Sequence, residues 1–97
     1  MKLTLTIVRD DDADKTVDAL VSNGFYVTRL ASTGGFLRKG NTVLLSGVED
    51  EQLNQMVKII RSQTEIHIQP PQSPLLQETV VNRAVVFVLG MEQLIKL

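Results

Sequence analysis

The chain has 97 residues and a formal net charge of -1. That length suits one domain, residues 1–97, and the balanced charge lacks the basic excess a general nucleic-acid binder needs. Cysteine is absent, which excludes disulfides, thiolate metal sites and a cysteine nucleophile. Met1-Lys2-Leu3-Thr4 is unlike the apolar block of a signal peptide, and no apolar run approaches the ~20 residues of a membrane helix, so a cytoplasmic domain with no membrane partner is expected.

Lys2 to Val8 alternates, with Leu3, Leu5 and Ile7 in one phase and Lys2, Thr4 and Thr6 in the other. The pattern predicts a strand whose Leu/Ile phase is its buried face. The acidic run Asp10-Asp11-Asp12-Ala13-Asp14 reads as a helix start, where carboxylates cap orphan N–H groups and complement the dipole. A divalent-cation site is the other use for such a run. Ala13, Val17, Leu20 and Val21 follow at helical spacing, and Asn23-Gly24 ends the helix with glycine suited to a left-handed cap. Phe25 to Ala31 is a second strand, broken by Ser32-Thr33-Gly34-Gly35, and Asn41 to Val48 a third. Glu49-Asp50 opens a second helix with its buried stripe at Leu53, Met56, Val57 and Ile60.

Beyond that helix the signals shorten. Glu65 to Gln69 is a short strand carrying His67, Pro70-Pro71-Gln72-Ser73-Pro74 cannot be regular structure, and Gln77 to Asn82 is extended again. Ala84 to Leu89 is continuously apolar, which predicts a central strand covered on both faces. Met91 to Leu97 is a terminal helical turn or a further edge segment. The order strand–helix–strand, strand–helix–strand predicts an α+β fold: a ferredoxin-like split β-α-β with an antiparallel sheet and two helices on one face. The other face keeps apolar positions, which packing between subunits would cover.

One connection has more content than a hairpin needs, Thr28 to Thr42. Its glycines let backbone N–H groups approach a ligand closely. Thr28, Ser32 and Thr33 supply hydroxyls, and Arg29, Arg38 and Lys39 positive charge. Phe36 supplies a ring and Asn41 an amide able to read an adenine edge. The same composition also fits a long hairpin with a glycine turn and solvated basic residues.

Val27-Thr28-Arg29-Leu30-Ala31-Ser32-Thr33-Gly34-Gly35-Phe36-Leu37-Arg38, with Gly40-Asn41-Thr42, Gly47-Val48-Glu49-Asp50 and Ala84 to Leu89, closely resembles the PII-like cyclic-di-AMP receptor family. The resemblance implies a homotrimer with ligand sites between neighbouring subunits. It implies signalling rather than catalysis, in which cyclic di-AMP or a related adenine nucleotide reshapes loops read by an unidentified downstream protein. It places Thr28, Gly35, Phe36, Leu37, Asn41, Gly47 and Phe87 at the pocket. Where the family commonly has Arg, this chain has Tyr26, which carries no charge for a phosphate. Where the family has a Gly-Gly pair, it has Asn82-Arg83: either these side chains obstruct close backbone approach to the ligand, or Arg83 reaches the phosphates in place of the missing charge. The segment holding Pro70 to Pro74 is shorter than the family's loop. These departures motivate an alternative, a PII-like trimer that has lost the nucleotide and acts through protein contacts. An enzyme is not expected: the acids sit at helix starts and His67, the sole histidine, lies outside the glycine loop. No cofactor and no metal ligand set is expected beyond the candidate ligand cyclic di-AMP.

Overall fold

The computed structural model describes residues 1–30, 40–64, 67–69, 79–81 and 83–97. Its first strand, β1 (Lys2–Arg9), lies at the centre of a four-stranded sheet. β3 (Asn41–Val48) and β6 (Ala84–Gly90) flank it, and β2 (Thr28–Leu30) lies outside β3, giving the order β2-β3-β1-β6. Every neighbouring pair is antiparallel. A short hairpin, β4 (His67–Gln69) with β5 (Thr79–Val81), stands as a separate two-stranded sheet. Helix α1 (Asp10–Ser22) joins β1 to β2, and α2 (Leu53–Gln63) follows β3. The two helices pack against each other and against the sheet, in the expected ferredoxin-like arrangement.

The acidic run places Asp10, Asp11 and Asp12 in the first turn of α1, where negative charge offsets the helix dipole. It does not cap the helix through side chains, as the sequence suggested: the N-cap is Arg9 and makes no side-chain cap bond. The carboxylates turn to other partners. Asp10 accepts from the Thr42 hydroxyl at 2.6 Å, Asp12 pairs with Lys15 at 3.2 Å, and Asp14 with Arg29 at 2.7 Å. Among the described residues no three such side chains gather where a metal ion could be held.

The C-terminus of α1 is a Schellman motif. Phe25 N–H donates to Leu20 C=O and Gly24 N–H to Val21 C=O, each at 3.0 Å, while Gly24 takes φ +85°. A Cβ at Gly24 would meet nothing within 4 Å, so only the backbone conformation favours glycine there. Gly24→Ala is therefore expected to cost about 1 kcal/mol and lower Tm by about 4–8 °C, with Gly24→Asn milder. Thermal melts of the two variants check this, and an unchanged Tm for the alanine variant would refute it.

Glu49 and Gln52 form a reciprocal capping box around a single 3₁₀ turn, Asp50–Gln52, which leads into α2. Met56 and Ile60 of α2 are buried, with Leu53 and Val57 half-buried beside them, as the spacing predicts. They pack with Leu20, Phe25 and Val48, while Val8, Ala13 and Leu44 form a neighbouring cluster. Beside the Asp50 end of this segment the Met1 ammonium lies 2.9 Å from Asp50 and, by hydrogen bond and then by charge, holds that carboxyl below its ordinary pKa.

Two expectations are corrected. First, the strand phase facing the helices is Thr4, Thr6 and Val8, all buried, while Leu3, Leu5 and Ile7 are only half-buried on the opposite face. The threonines fit because their hydroxyls need few partners; Thr4 Oγ1 donates to Ser46 C=O at 3.2 Å. Second, the apolar run Ala84–Leu89 is not covered on both faces. β6 is at the end of the four-stranded sheet, and Val85, Phe87, Val88 and Leu89 are exposed. Only Ala84 and Val86 of the run are half-buried and pack against the core clusters. Met91 to Leu97 forms neither helix nor strand. Among the described residues no helix is long and apolar enough to cross a membrane.

Candidate functional site

Strand register decides which candidate residues share a face, because antiparallel partners point to the same side. Phe87 pairs with Leu5, Leu5 with Leu45, and Leu45 with Thr28. Val85, Ile7, Val43 and Leu30 make the next row, and Leu89, Leu3 and Gly47 another. Asn41 pairs with Arg9 at the end of the sheet. Thr28, Asn41, Gly47 and Phe87 thus all lie on the face away from the helices, an apolar surface interrupted by a hydroxyl, an amide and a glycine.

They do not converge within one chain. Asn41 and Gly47 lie at opposite ends of β3, about 20 Å apart at the rise of a strand. Thr28 and Phe87 lie on opposite edges of the sheet, about 14 Å apart across three strand spacings. The residues fall instead into two groups at opposite ends of the face, with Thr28 and Phe87 at opposite edges of one row between them.

The first group is Tyr26 and Gly47. The Tyr26 carbonyl accepts a hydrogen bond from the Ser46 hydroxyl, which ties the chain ahead of β2 to the end of β3. The Tyr26 ring is about half exposed and carries the Lys96 ammonium 4.8 Å from its centroid, a cation–π contact. Tyr26 has no charge of its own, yet a positive charge stands over it. Gly47 is roofed by the C-terminal segment: a side chain added there would meet Leu94 Cδ1 at 2.7 Å and Met91 Cε at 2.9 Å. A Cβ there would make these two side-chain ends shift, while the Gly47 dihedrals themselves make no demand for glycine.

The second group is Asn41 and Arg83, which line one cavity of about 180 Å³ with Ile7, Val8 and Val85. Arg9 lines it too. Sequence reading missed Arg9 because the predicted strand stops at Val8. The available signal was phase: Arg9 continues the Leu3, Leu5, Ile7 alternation and so falls on the helix-free face opposite Asn41. Arg83 also borders a smaller cavity of about 80 Å³ beside Arg61 and Thr64. Arg29, read as a phosphate ligand, instead pairs with Asp14 on α1. Its register partner Leu44 is buried under the helices, so Arg29 lies on the other face.

Gly35, Phe36 and Leu37 lie outside the described residues, as do Ser32, Thr33, Arg38, Lys39, Asn82 and the Pro70 to Pro74 segment. The backbone of His67 falls in β4, away from the four-stranded sheet.

Both helices on one face of a sheet ordered β2-β3-β1-β6 define a ferredoxin-like α+β domain, the arrangement of PII-like proteins. Comparison with known proteins gives the narrower assignment. The family described as cyclic-di-AMP receptor matches residues 1–97, and the chain belongs to that family. The chain is also similar to a protein of Pediococcus pentosaceus ATCC 25745, whose crystal structure is titled as that of a functionally unknown protein. The two are 31% identical with a TM-score of 0.74, and the match covers 99% of this chain and 96% of that one.

Proposed function

We propose that this protein is a non-enzymatic receptor that binds cyclic di-AMP between the subunits of a cytoplasmic homotrimer. It passes the signal through its loops to a protein partner. Family membership supports the ligand. The observation that carries the assembly is the split of the candidate residues over one exposed apolar face. Tyr26 and Gly47 lie at one end and Asn41 and Arg83 at the other, with Thr28 and the half-exposed Phe87 at opposite edges of one row between them. A neighbouring copy that covers this face brings one end against the other. The site then forms only in the assembly, and the exposed β6 becomes interior.

In this reading Asn41 and the Phe36–Leu37 backbone read an adenine edge. Phe87 packs on base or ribose, and Thr28 donates to a phosphate oxygen. Gly35 serves close backbone approach of the ligand, and Gly47 does so when the Met91–Leu94 segment lifts from it. The charge that Tyr26 lacks comes from Lys96 above its ring and from Arg83. Binding needs no general base and no metal.

Calorimetric titration tests this directly. Cyclic di-AMP is expected to bind with a stoichiometry of one per subunit, and more tightly than cyclic di-GMP, ATP or AMP. A trimer that gives no heat with any of the four would overturn the nucleotide reading. It would favour a PII-like trimer acting by protein contacts alone, with the Met91–Leu94 roof over Gly47 as a permanent seal.

A further inference from the structure

We infer that Arg9 and Arg83 together form an anion subsite, selective for a phosphate-type group, in the cavity beside Asn41. The identity of its natural ligand, the phosphodiester of a dinucleotide, rests on the receptor reading above; the subsite itself rests on the geometry. Arg9 is the last residue of β1, in extended conformation with φ −68° and ψ 148°, and directly opposite Asn41 in β3. Arg83 immediately precedes Ala84, which pairs with Val8. The chain therefore brings two guanidinium groups and one carboxamide to the same end of the sheet, and all three line the 180 Å³ cavity.

Three features make this a place for an anion rather than an accidental pair of cations. The remaining wall is apolar, with Ile7 and Val85 among it, so charges there are poorly screened. Among the described residues no carboxylate lines the cavity, and neither Arg9 nor Arg83 takes part in an ion pair. The Arg9 Nε–H is buried and has no hydrogen-bond partner among the described residues. A guanidinium cannot lose its proton to relieve such a position, so a bound negative group is the partner that answers both charges at once. Guanidinium N–H groups match tetrahedral oxyanions in geometry, which leaves the neighbouring Asn41 amide to the base. The volume agrees. At about 30 Å³ per water, the cavity holds roughly six waters, enough for a phosphate group and far below a whole dinucleotide. The remainder of a nucleotide would extend onto the open sheet face.

The test uses the full chain and two probes. With cyclic di-AMP in calorimetry, Arg9→Gln and Arg83→Gln are each expected to weaken binding about ten- to a hundredfold and to flatten its salt dependence. Arg9→Lys should recover part of the loss, and Lys58→Gln on α2 should leave binding unchanged. With inorganic pyrophosphate in NMR, the Arg9 Nε–Hε resonance of the unmodified protein is expected to shift saturably, and Arg83→Gln to reduce that shift. Wild-type affinity for cyclic di-AMP in both Gln variants would overturn the subsite. If the unmodified protein ignores cyclic di-AMP, the receptor reading fails, and the pyrophosphate titration decides the subsite alone. A saturable shift supports it and an unmoved Arg9 resonance overturns it. Circular dichroism melts of each variant separate lost binding from lost folding.

Discussion

Phe87→Glu is expected to reduce the assembly to single subunits while leaving each subunit folded. Phe87 projects from β6 on the helix-free face, and half of its surface is exposed in one chain. In the proposed trimer that surface is covered. Full burial of a phenylalanine is worth about 1.5–3 kcal/mol, so the portion added on assembly is worth roughly 1 kcal/mol in each subunit. Replacing the ring with a carboxylate does more than remove this gain. An unpaired charge brought into an apolar interface costs several kcal/mol in each subunit, and the symmetry of a closed ring repeats the cost at every interface. Phe87 is in neither cluster that packs between helices and sheet, so the helices and their melting signal should persist. Sedimentation should show one third of the wild-type mass. Cyclic di-AMP binding should be lost with the assembly, because the two ends of the face no longer meet. A Phe87→Glu protein that remains trimeric would place the subunit contact elsewhere.

Leu20→Ala is expected to produce the largest loss of stability of any single truncation on α1, about 3 kcal/mol. Leu20 is 1% exposed and packs with Phe25, Val48, Met56 and Ile60, so it links α1, α2 and β3. Its carbonyl also accepts from Asn23 and Phe25 N–H, which fixes the turn that delivers Phe25 to the core. A cavity here opens beneath the helix end and beneath the start of the path to Tyr26. For a domain of this size the loss corresponds to a fall in Tm of at least about 12 °C. Val21, the next residue, is 55% exposed, and Val21→Ala should change stability by no more than about 0.5 kcal/mol. Denaturant titration of the pair checks both, and equal effects would refute the assignment of the core.

The contrast between Leu20 and Val21 shows where sequence reading stops. Both fall on the apolar spacing of α1, and only packing against α2 distinguishes them. Local signals served well elsewhere. Asn41 to Val48 was readable as β3 from its composition, Asn23-Gly24 as a helix end, and Met56 with Ile60 as the buried stripe of α2. The phase of β1 was read the wrong way round. Alternation shows that two faces differ, yet it does not say which is covered by helices and which by another chain, and Thr4 and Thr6 are small enough to go inside. The apolar run of β6 carried the same ambiguity, since covering by a neighbouring copy and covering within the chain select the same residues. At the site, Thr28 and Asn41 stand out from the composition of their connection, Gly47 and Phe87 only through family resemblance, and strand register places all four on one face. Arg9 and Lys96 carry no motif. They matter through long-range placement: one lies opposite Asn41, and the other over Tyr26.

The central position of β1 has a consequence for the order in which the fold can be made. Its partners are β3, about 40 residues further along the chain, and β6, about 80 residues further. During synthesis, β1 therefore waits through two helices and a hairpin before its second edge is paired. For that interval its backbone donors and acceptors, and the Leu3-Leu5-Ile7 row, stand open to any extended strand nearby. The strand that closes this edge carries Phe87. The last step in completing a subunit thus also installs part of the surface with which that subunit is proposed to meet its neighbours.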